Sequence, residues 1–465
     1  MSLKENWTLL SDYAHKTIQM LEKKNVKHAE AFFTSTKTIE VAIRNSEILT
    51  QNMIDDSGVG LRVVTSGNKV GFACTNALNK KTIMETGEKA LAIAKASSPT
   101  PDFALPATTK IPKVERLFDP HVVEATVEEA VDFAKRAIAA AEAIDNRVGV
   151  KYGRVMFQHG WRGVSNSLGV DLEEQETKAI IILGGSGEEN GEVTGSCFDL
   201  MLKRTLSLNP EKIGENVGRV VVEQFKPRTL KSFQGTVIFG PEAVSYQPFD
   251  VLTDALNGEN VVSKRSTWTG KQEQRVASES LTVIDGAVLG EGFASRSFDD
   301  EGCASQNTLL IKKGKLQSFL HNATSANVLN AKNTGNASRN KGGFDMIKMI
   351  IGKGYRTKPE IYPSNLIIQK GNKTKEELVS ETDKGVLIES MAGFAQAGSG
   401  LISAQLSRAF YIRDGEIQYP IKGGMVSGTA FDWFQNVSDI GKDSKQFQNA
   451  IVPSIRVENV KVIGA

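Results

Sequence analysis

Residues 60–73 have the sequence Gly60-Leu61-Arg62-Val63-Val64-Thr65-Ser66-Gly67-Asn68-Lys69-Val70-Gly71-Phe72-Ala73. Two β-rich runs flank Ser66-Gly67-Asn68, and this triplet indicates a tight hairpin turn because Gly and Asn tolerate positive φ. Similar turns are predicted at Lys313-Gly314 and Asp414-Gly415, each between two β-rich runs. Strands joined by such short turns are antiparallel. The sequence therefore predicts a protein built largely from antiparallel sheet.

Further elements are predicted on both sides of this hairpin. Other β-rich runs lie at Glu30–Thr34, Thr38–Ile43, Ile48–Met53, Gly149–Arg154, Gly163–Ser167, Lys178–Leu183 and Thr236–Phe239. Apolar residues at helical spacing predict helices as well. They lie at Leu3–Lys24, Lys80–Ala96, Val122–Ile144 and from Pro210 to about Phe225. Because the helices cluster instead of alternating strictly with strands, the pattern favours an α+β fold over a doubly wound α/β fold.

Chain length suggests the domain organisation. A chain of 465 residues, 40% of them apolar, suggests two or three domains and a sizeable core. A boundary near Pro227–Lys231 follows a predicted helix and precedes a predicted strand. It predicts an N-terminal α+β domain at residues 1–228 and a β-rich domain of mainly antiparallel strands at residues 229–465.

Charge, the amino terminus and the cysteines indicate where the protein acts. Lys and Arg number 56 and Asp and Glu 54, a net charge of +2, which lacks the basic bias of a dedicated nucleic-acid binder. No apolar run approaches the roughly 20 residues that cross a bilayer, and the first residues lack the layout of a secretory signal. Cys74, Cys197 and Cys303 are widely separated. We expect a cytoplasmic protein with reduced thiols and neither membrane nor direct nucleic-acid contact.

Two features that suggest ligand binding have simpler interpretations. The stretch from Gly184 to Gly191 is rich in glycine, but it lacks the Gly-Lys-Ser/Thr ending of a P-loop. Glu188 and Glu189 within it would also repel phosphate, so a flexible hairpin loop is expected. The five histidines include no pair within five positions, so the zinc motif His-Glu-x-x-His is absent.

An acidic tripeptide, Asp299-Asp300-Glu301, precedes Gly302 and a predicted strand. Adjacent carboxylates can bind a cation or orient an active-site group. Acidic residues before glycine are also common in turns, and a turn is the favoured interpretation. His321 follows the predicted strand Leu316–Leu320. A lone histidine at such a place is more typical of a structural or surface residue than of a metal ligand.

Several short segments occur in an order that is shared with one protein family. They are Gly58-Val59-Gly60-Leu61-Arg62-Val63, Gly71-Phe72-Ala73, Asp300-Glu301-Gly302, Gly314-Lys315-Leu316, Thr334-Gly335-Asn336-Ala337, Ile440-Gly441-Lys442-Asp443 and Pro453-Ser454-Ile455. Together they resemble the motifs of the TldD/PmbA family, also called the modulator-of-DNA-gyrase or peptidase U62 family. Each match is weak alone, and their shared order over roughly residues 30–463 makes the resemblance specific.

The resemblance implies a fold, an assembly and a metal site. It implies two domains of mixed helices and antiparallel sheet, a cytoplasmic location and a dimer. In TldD-type members it also implies a zinc peptidase with His-Glu-x-x-x-His on a helix and a cysteine near the carboxyl end, where zinc activates a water and Glu is the base. The corresponding positions here are Phe249-Asp250-Val251-Leu252-Thr253-Asp254, and no cysteine follows Cys303.

The residues around this lost motif predict a structural helix. Pro248 suits a first helical position and Gly258 a C-cap. One face is apolar and the other polar. The apolar stripe is Phe249, Leu252 and Leu256, and the polar face is Asp250, Asp254 and Asn257. The chain therefore resembles the PmbA/TldE-like branch, whose members lack the zinc motif, and we expect no metal or other cofactor in this chain.

Three functions follow as hypotheses. The first is a partner subunit of a TldD-type metallopeptidase that acts on unfolded peptides, such as microcin precursors or antitoxins, with zinc only in the TldD-type subunit. It predicts a homodimer, a heterodimer or both, and candidate substrate-site residues Asp300, Glu301, His321 and Asn336. The second is an autonomous peptidase that uses Asp299, Asp300, Glu301 and His321. The third is a non-proteolytic binding protein that modulates DNA gyrase.

Overall fold

The computed structural model describes residues 2–339 and 354–465. Its helices are α1 (Leu3–Glu22), α2 (Lys80–Ala96), α3 (Pro120–Glu124), α4 (Val127–Glu142), α5 (Pro210–Val222), α6 (Pro241–Val244), α7 (Gln247–Leu256), α8 (Gly258–Val262), α9 (Ala323–Val328), α10 (Lys375–Ser380) and α11 (Ala430–Gln435), with a 3-10 helix at Gly354–Arg356.

The strands of the N-terminal half are β1 (His28–Arg44), β2 (Glu47–Val64), β3 (Val70–Thr75), β4 (Val148–Asn166), β5 (Asp171–Glu189), β6 (Glu192–Val193) and β7 (Cys197–Lys203). Those of the C-terminal half are β8 (Phe233–Phe239), β9 (Val283–Gly286), β10 (Asn307–Lys312), β11 (Lys315–Leu316), β12 (Ala337–Ser338), β13 (Glu360–Ile361), β14 (Leu366–Ile368), β15 (Lys384–Gln396), β16 (Leu401–Arg413), β17 (Glu416–Pro420), β18 (Met425–Thr429), β19 (Val437–Ile440), β20 (Lys445–Phe447), β21 (Ala450–Val452) and β22 (Ile455–Ile463).

The N-terminal half is one antiparallel sheet with helices on one face. Its order is β3-β2-β1-β4-β5, and β6 and β7 both pair with β5. Ala31 and Phe33 of β1 pack in a core cluster with α1 and α2, while Val41 and Ile43 pack in another with α4 and α5. Side chains alternate along a strand, so these odd-numbered residues share one face. The opposite face of the sheet, which carries Glu30, Arg62 and Arg162, meets the C-terminal half.

The C-terminal half contains a closed barrel and a second sheet. The barrel runs β15-β8-β22-β18-β16 and closes through pairing of β15 with β16, whereas the second sheet has the order β11-β10-β9-β14-β21-β20. Closure removes free strand edges from the barrel. Pairing is mainly antiparallel, with parallel exceptions at β8–β15 and β14–β21. The α+β prediction is confirmed.

Helix boundaries follow the capping residues. The predicted helix Lys80–Ala96 matches α2 at both ends, and Asn79 caps it. The predicted helix Val122–Ile144 is wrong as a single element, because it divides into α3 and α4. Ala125 is the C-cap of α3 and Thr126 is the N-cap of α4: the Thr126 side chain accepts from the Glu129 N–H, and the Thr126 N–H donates to the Glu129 carboxylate.

The strands are longer than the sequence predicted. Glu30–Thr34 and Thr38–Ile43 are parts of the single strand β1, and Gly149–Arg154 and Gly163–Ser167 are parts of β4. The polar residues between such runs continue the ladder, as where the hydroxyl of Ser35 lies 2.8 Å from that of Ser57 on β2. A polar interruption therefore does not end a strand whose neighbour offers a hydrogen-bonding partner.

The glycine-rich stretch is also mostly strand. Residues 184–189 belong to β5, and the turn is confined to Asn190 and Gly191, with φ of 52° and 82°. The expected flexible loop is therefore wrong for most of the stretch. A Cβ on Gly184 would collide with the ring of Tyr152, and one on Gly187 would lie 2.5 Å from the ring of Phe225. These glycines give aromatic rings room to pack on the sheet.

The predicted hairpins are confirmed. Val64 pairs with Val70 across the first turn, where Asn68 has a φ of 55° and Gly67 keeps an ordinary φ. Lys313 and Gly314 both have positive φ, as do Asp414 and Gly415, which is the conformation of a type I′ turn. Among the described residues no helix is long and apolar enough to cross a membrane.

Candidate functional site

Helix α7 carries residues 249–254, which the family resemblance places at the positions of the zinc motif. It begins at Gln247 with Pro248 in its first turn, as predicted. The Phe249 side chain lies in the main core of the C-terminal half with only 5% of the residue exposed, and Leu252 and Leu256 are buried beside it. The predicted apolar stripe is confirmed. Phe249 therefore contributes packing at this position.

The end of this helix differs from the prediction. Asn257 is the C-cap of α7, and its side chain also accepts from the Glu259 N–H to cap α8, so Gly258 opens the next helix instead of ending this one. A Cβ at Gly258 would lie 2.5 Å from Nδ1 of His321 and 2.7 Å from the carbonyl oxygen of Leu320. Close packing of the segment before α9 requires a glycine here.

The two acidic residues of the motif positions have different surroundings. Asp254 Oδ1 accepts a hydrogen bond of 2.7 Å from the Asn260 side-chain amide, so it helps to join α7 to α8. Asp250 lies at the surface of α7, where desolvation by the surrounding protein raises the pKa of its carboxyl to about 6. Among residues 2–339 and 354–465, no three His, Cys, Asp or Glu side chains converge in a way that would hold a metal ion.

The acidic tripeptide forms a buried turn. Asp299 Oδ1 accepts from the N–H groups of Glu301 at 3.0 Å and Cys303 at 2.8 Å, and Gly302 has a φ of 87°. The turn interpretation is confirmed. Asp299, Asp300 and Glu301 are at most 5% exposed. Burial, and next the charge of Glu301, raise the pKa of Asp299.

Ion pairs connect this turn to the first sheet. Glu301 Oε1 accepts from Arg62 at 2.9 Å, and Arg62 also donates to Glu30 at 2.5 Å. Burial alone would lower the pKa of Arg62, but the adjacent Glu30 and Glu301 raise it overall. Asp300 Oδ1 accepts from Arg162 at 2.9 Å. Two of the three carboxylates of the tripeptide, those of Asp300 and Glu301, are thus paired with arginines of the first sheet.

His321 and Asn336 lie in the interior of the C-terminal half, and both are at most 2% exposed. The His321 N–H donates to the Thr334 hydroxyl at 2.6 Å, and His321 Nδ1 lies 3.1 Å from the Ser325 hydroxyl. Burial lowers the pKa of His321 to about 4, so the ring is neutral at pH 7. Asn336 Nδ2 donates to Asp285 at 2.7 Å.

The four candidate substrate-site residues are therefore distributed over two neighbouring interior networks. Asp300 and Glu301 join the two halves of the molecule, and His321 and Asn336 stabilise the segment before β12. All four residues are at most 5% exposed. A role in contacting substrate stays a prediction, and their positions support a structural role.

Sequence reasoning missed the arginines of this network as functional residues. Arg62 appeared only as part of a hairpin motif, and Arg162 was not singled out. Both are at most 7% exposed. The alternation of residues along their strands gave no further signal, and the tripeptide carboxylates with which they pair lie 239 and 138 residues away.

Comparison with known proteins identifies the family. Residues 232–464 match the model of the PmbA/TldA metallopeptidase C-terminal domain, and residues 29–94 match that of PmbA/TldA metallopeptidase domain 1. The chain belongs to the TldD/PmbA family. Metalloprotease PmbA of Escherichia coli O157:H7 is 26% identical over 446 residues, which are 94% of this chain and 92% of that protein.

Solved structures of two proteins share the TldD/PmbA fold over the whole chain. TldE from Thermococcus kodakarensis superposes with a TM-score of 0.86 at 24% identity, over 97% of this chain and 100% of that one. A Thermotoga maritima protein, described as a candidate modulator of a DNA gyrase, superposes with a TM-score of 0.84 at 24% identity, over 97% of this chain and 99% of its own.

Proposed function

We propose that this chain is a PmbA/TldE-like partner subunit of a TldD-type metallopeptidase and does not itself bind the catalytic zinc. The observation that carries the proposal is the burial of Phe249, which stands where the family's zinc motif has its first histidine and packs in the core. An apolar side chain there cannot coordinate zinc, which in proteins is held by imidazole, thiolate or carboxylate.

The rest of the framework supports a role in assembly and substrate binding. The fold matches that of TldE over nearly the whole chain. A chain that keeps its framework without the metal ligands can still supply surface to a complex. Alone it is expected to form a symmetric homodimer, because two-fold contacts are the commonest closed assembly. The proposal includes a cytoplasmic location, in keeping with its three free cysteines.

An exposed strand edge suggests how unfolded peptides bind. Strand β3 pairs only with residues 59–64 of β2, so residues 47–55 have no second strand partner among the described residues. Leu49 is 58% exposed on this edge and Met53 63%. A free edge offers main-chain hydrogen bonds to an extended peptide, and such bonds are tolerant of sequence. Unfolded peptide is the substrate class that we propose.

The test is co-purification followed by a cleavage assay. A TldD-type homologue that carries His-Glu-x-x-x-His is expressed with this chain, and cleavage of an unfolded casein-like substrate is measured with each subunit omitted. We expect a heterodimer whose activity requires both subunits. Met53→Lys should weaken peptide binding, whereas Leu168→Lys, which adds the same charge at another partly exposed position, should not. The proposal is contradicted if the homologue does not bind this chain and cleaves the substrate equally well without it.

The two other hypotheses receive less support. An autonomous peptidase built on the acidic tripeptide needs carboxylates that reach substrate, but all three are buried, and Glu301 and Asp300 are paired with Arg62 and Arg162. Modulation of gyrase is suggested by the descriptions of solved structures such as the Thermotoga maritima protein, whose likeness to this chain is one of fold.

A further inference from the structure

A small polar cavity lies between the first sheet and the C-terminal half. Its volume is about 100 Å³. The first sheet contributes Arg162 from β4 and Lys178 from β5, and Arg204 follows directly after β7. The C-terminal half contributes Arg296 and Asn449. Lys178, Arg296 and Asn449 are only partly buried, so the cavity opens to solvent.

Two arginines that line the cavity each have a buried N–H group without a hydrogen-bond acceptor in the described part of the chain. Arg204 is 6% exposed, and its Nη1 and Nη2 donate to Glu176 and to the Ser295 carbonyl, each at 2.8 Å. Its Nε is buried and has no acceptor among the described residues. The same is true of Nε of Arg296. A buried donor left without an acceptor costs about 1–3 kcal/mol, so native structures normally supply one.

The charges around the cavity are unequal. Its lining has four cationic side chains, Arg162, Lys178, Arg204 and Arg296, and two carboxylates, Glu176 and Asp300. Glu176 forms ion pairs with two of the cations, Lys178 at 3.3 Å and Arg204 at 2.8 Å. Among the described residues no carboxylate lies within ion-pair distance of Arg296, whose Nη2 donates to a backbone carbonyl. Arg162 is paired with both Asp300 and Glu174, and Lys178 and Arg204 share Glu176, so the unbalanced positive charge at the cavity wall is that of Arg296.

The nearby carboxylates already accept hydrogen bonds from other groups. Asp300 accepts from Arg162 and from the backbone N–H of Arg339. Asp285 accepts from the Asn336 amide and from the hydroxyl and N–H of Ser364. Neither carboxylate is available to Nε of Arg204 or Arg296, so no side chain among residues 2–339 and 354–465 supplies these donors with an acceptor.

We propose that this cavity binds a small tetrahedral oxyanion of the phosphate or sulfate type. The volume is that of roughly three water molecules of about 30 Å³ each, which suits a single such group. Guanidinium groups are well matched to the oxygens of phosphate because they present several donors in a fixed plane. Donors on both sides of the cavity favour an anion with acceptors in several directions over a carboxylate.

Bound there, the anion joins the two halves of the molecule. It accepts from Lys178 and Arg204 on the first sheet and from Arg296 on the C-terminal half. A ligand that binds only the folded state raises the stability of that state. This property belongs to the chain alone and does not depend on the proposed peptidase partner.

Isothermal titration of the full chain with inorganic phosphate, sulfate and acetate tests the proposal, at fixed pH and with sodium chloride holding ionic strength constant. We expect one phosphate or sulfate per chain, weaker binding of acetate, and a melting temperature that rises with phosphate. Arg296→Gln should weaken phosphate binding at least tenfold. Arg275→Gln removes the same charge from an exposed position and should stay within twofold of the wild type.

Lys178→Gln gives a second readout, because Lys178 is only partly buried and its loss leaves Glu176 paired with Arg204. It should weaken phosphate binding at least threefold. An effect of phosphate no larger than that of chloride at equal ionic strength overturns the proposal. So does saturable binding that survives unchanged in both variants, because the anion then lies elsewhere.

Discussion

At the scale of single residues, the proposed lack of a zinc site in this chain rests on Phe249. We expect the variant Phe249→His, Asp250→Glu, Asp254→His to hold no stoichiometric zinc. The new imidazole at residue 249 would lie in the core, Asp254 would lose its bond to Asn260, and no cysteine follows Cys303 to complete the ligand set. Elemental analysis of desalted protein measures the zinc, with the wild type as control. Robust zinc-dependent cleavage of an unfolded substrate by this variant would contradict the assignment.

His321 should make the stability of the protein depend on pH. Its pKa is about 4 when folded and about 6.5 when unfolded, so between these values the unfolded chain binds more protons. The stabilisation is present above pH 6.5 and is lost as the pH falls to 4. The wild type should lose about 3 kcal/mol more than His321→Gln over this range. Urea unfolding at a series of pH values measures the difference, and parallel pH curves for the two proteins would refute the role of His321.

At the scale of secondary-structure elements, the junction of α7 with α8 depends on Gly258. Gly258→Ala places a methyl group 2.5 Å from His321 Nδ1 and 2.7 Å from a backbone carbonyl oxygen. Overpacking of this kind typically costs about 1–3 kcal/mol. Gly67→Ala is the matched control, because its nearest neighbour lies at 4.0 Å and its φ is ordinary. Denaturant unfolding measures the free energy of unfolding of both variants. Equal losses of stability would show that the space beside His321 accommodates a methyl group.

Elements with local signals were predictable from sequence, and those set by tertiary partners were not. Helix α2 and the turns at Asn68, Gly314 and Gly415 follow from capping and positive φ, which act within a few residues. The continuity of β1 was not predictable, because polar residues in its middle pair with β2 and β4. The strand character of residues 184–189 was missed for the same reason: the rings that cover those glycines lie far away in sequence.

At the scale of the whole molecule, the ion-pair network between the two halves is what sequence could least predict. The acidic tripeptide was recognised as unusual, and its turn was predicted. Its partners could not be, since Arg62 and Arg162 come from strands of the first sheet and approach only when the halves pack. Adjacent carboxylates such as Asp300 and Glu301 suggest a site that contacts substrate, and the sequence alone does not show that both are buried.

Arg62 should therefore stabilise the association of the halves far more than an exposed arginine does. Arg62→Gln leaves Glu301 buried beside a neutral side chain, while Glu30 keeps its pair with Arg339, and breaking a buried pair typically costs about 3–5 kcal/mol. Arg116→Gln is the matched control, because Arg116 also pairs with a glutamate of the C-terminal half, Glu291, but both side chains are mostly exposed. Arg116→Gln should lower the free energy of unfolding by only about 0–1 kcal/mol. Urea unfolding of the full chain measures both, and a loss for Arg62→Gln no larger than that for Arg116→Gln would show that the buried network does not hold the halves together.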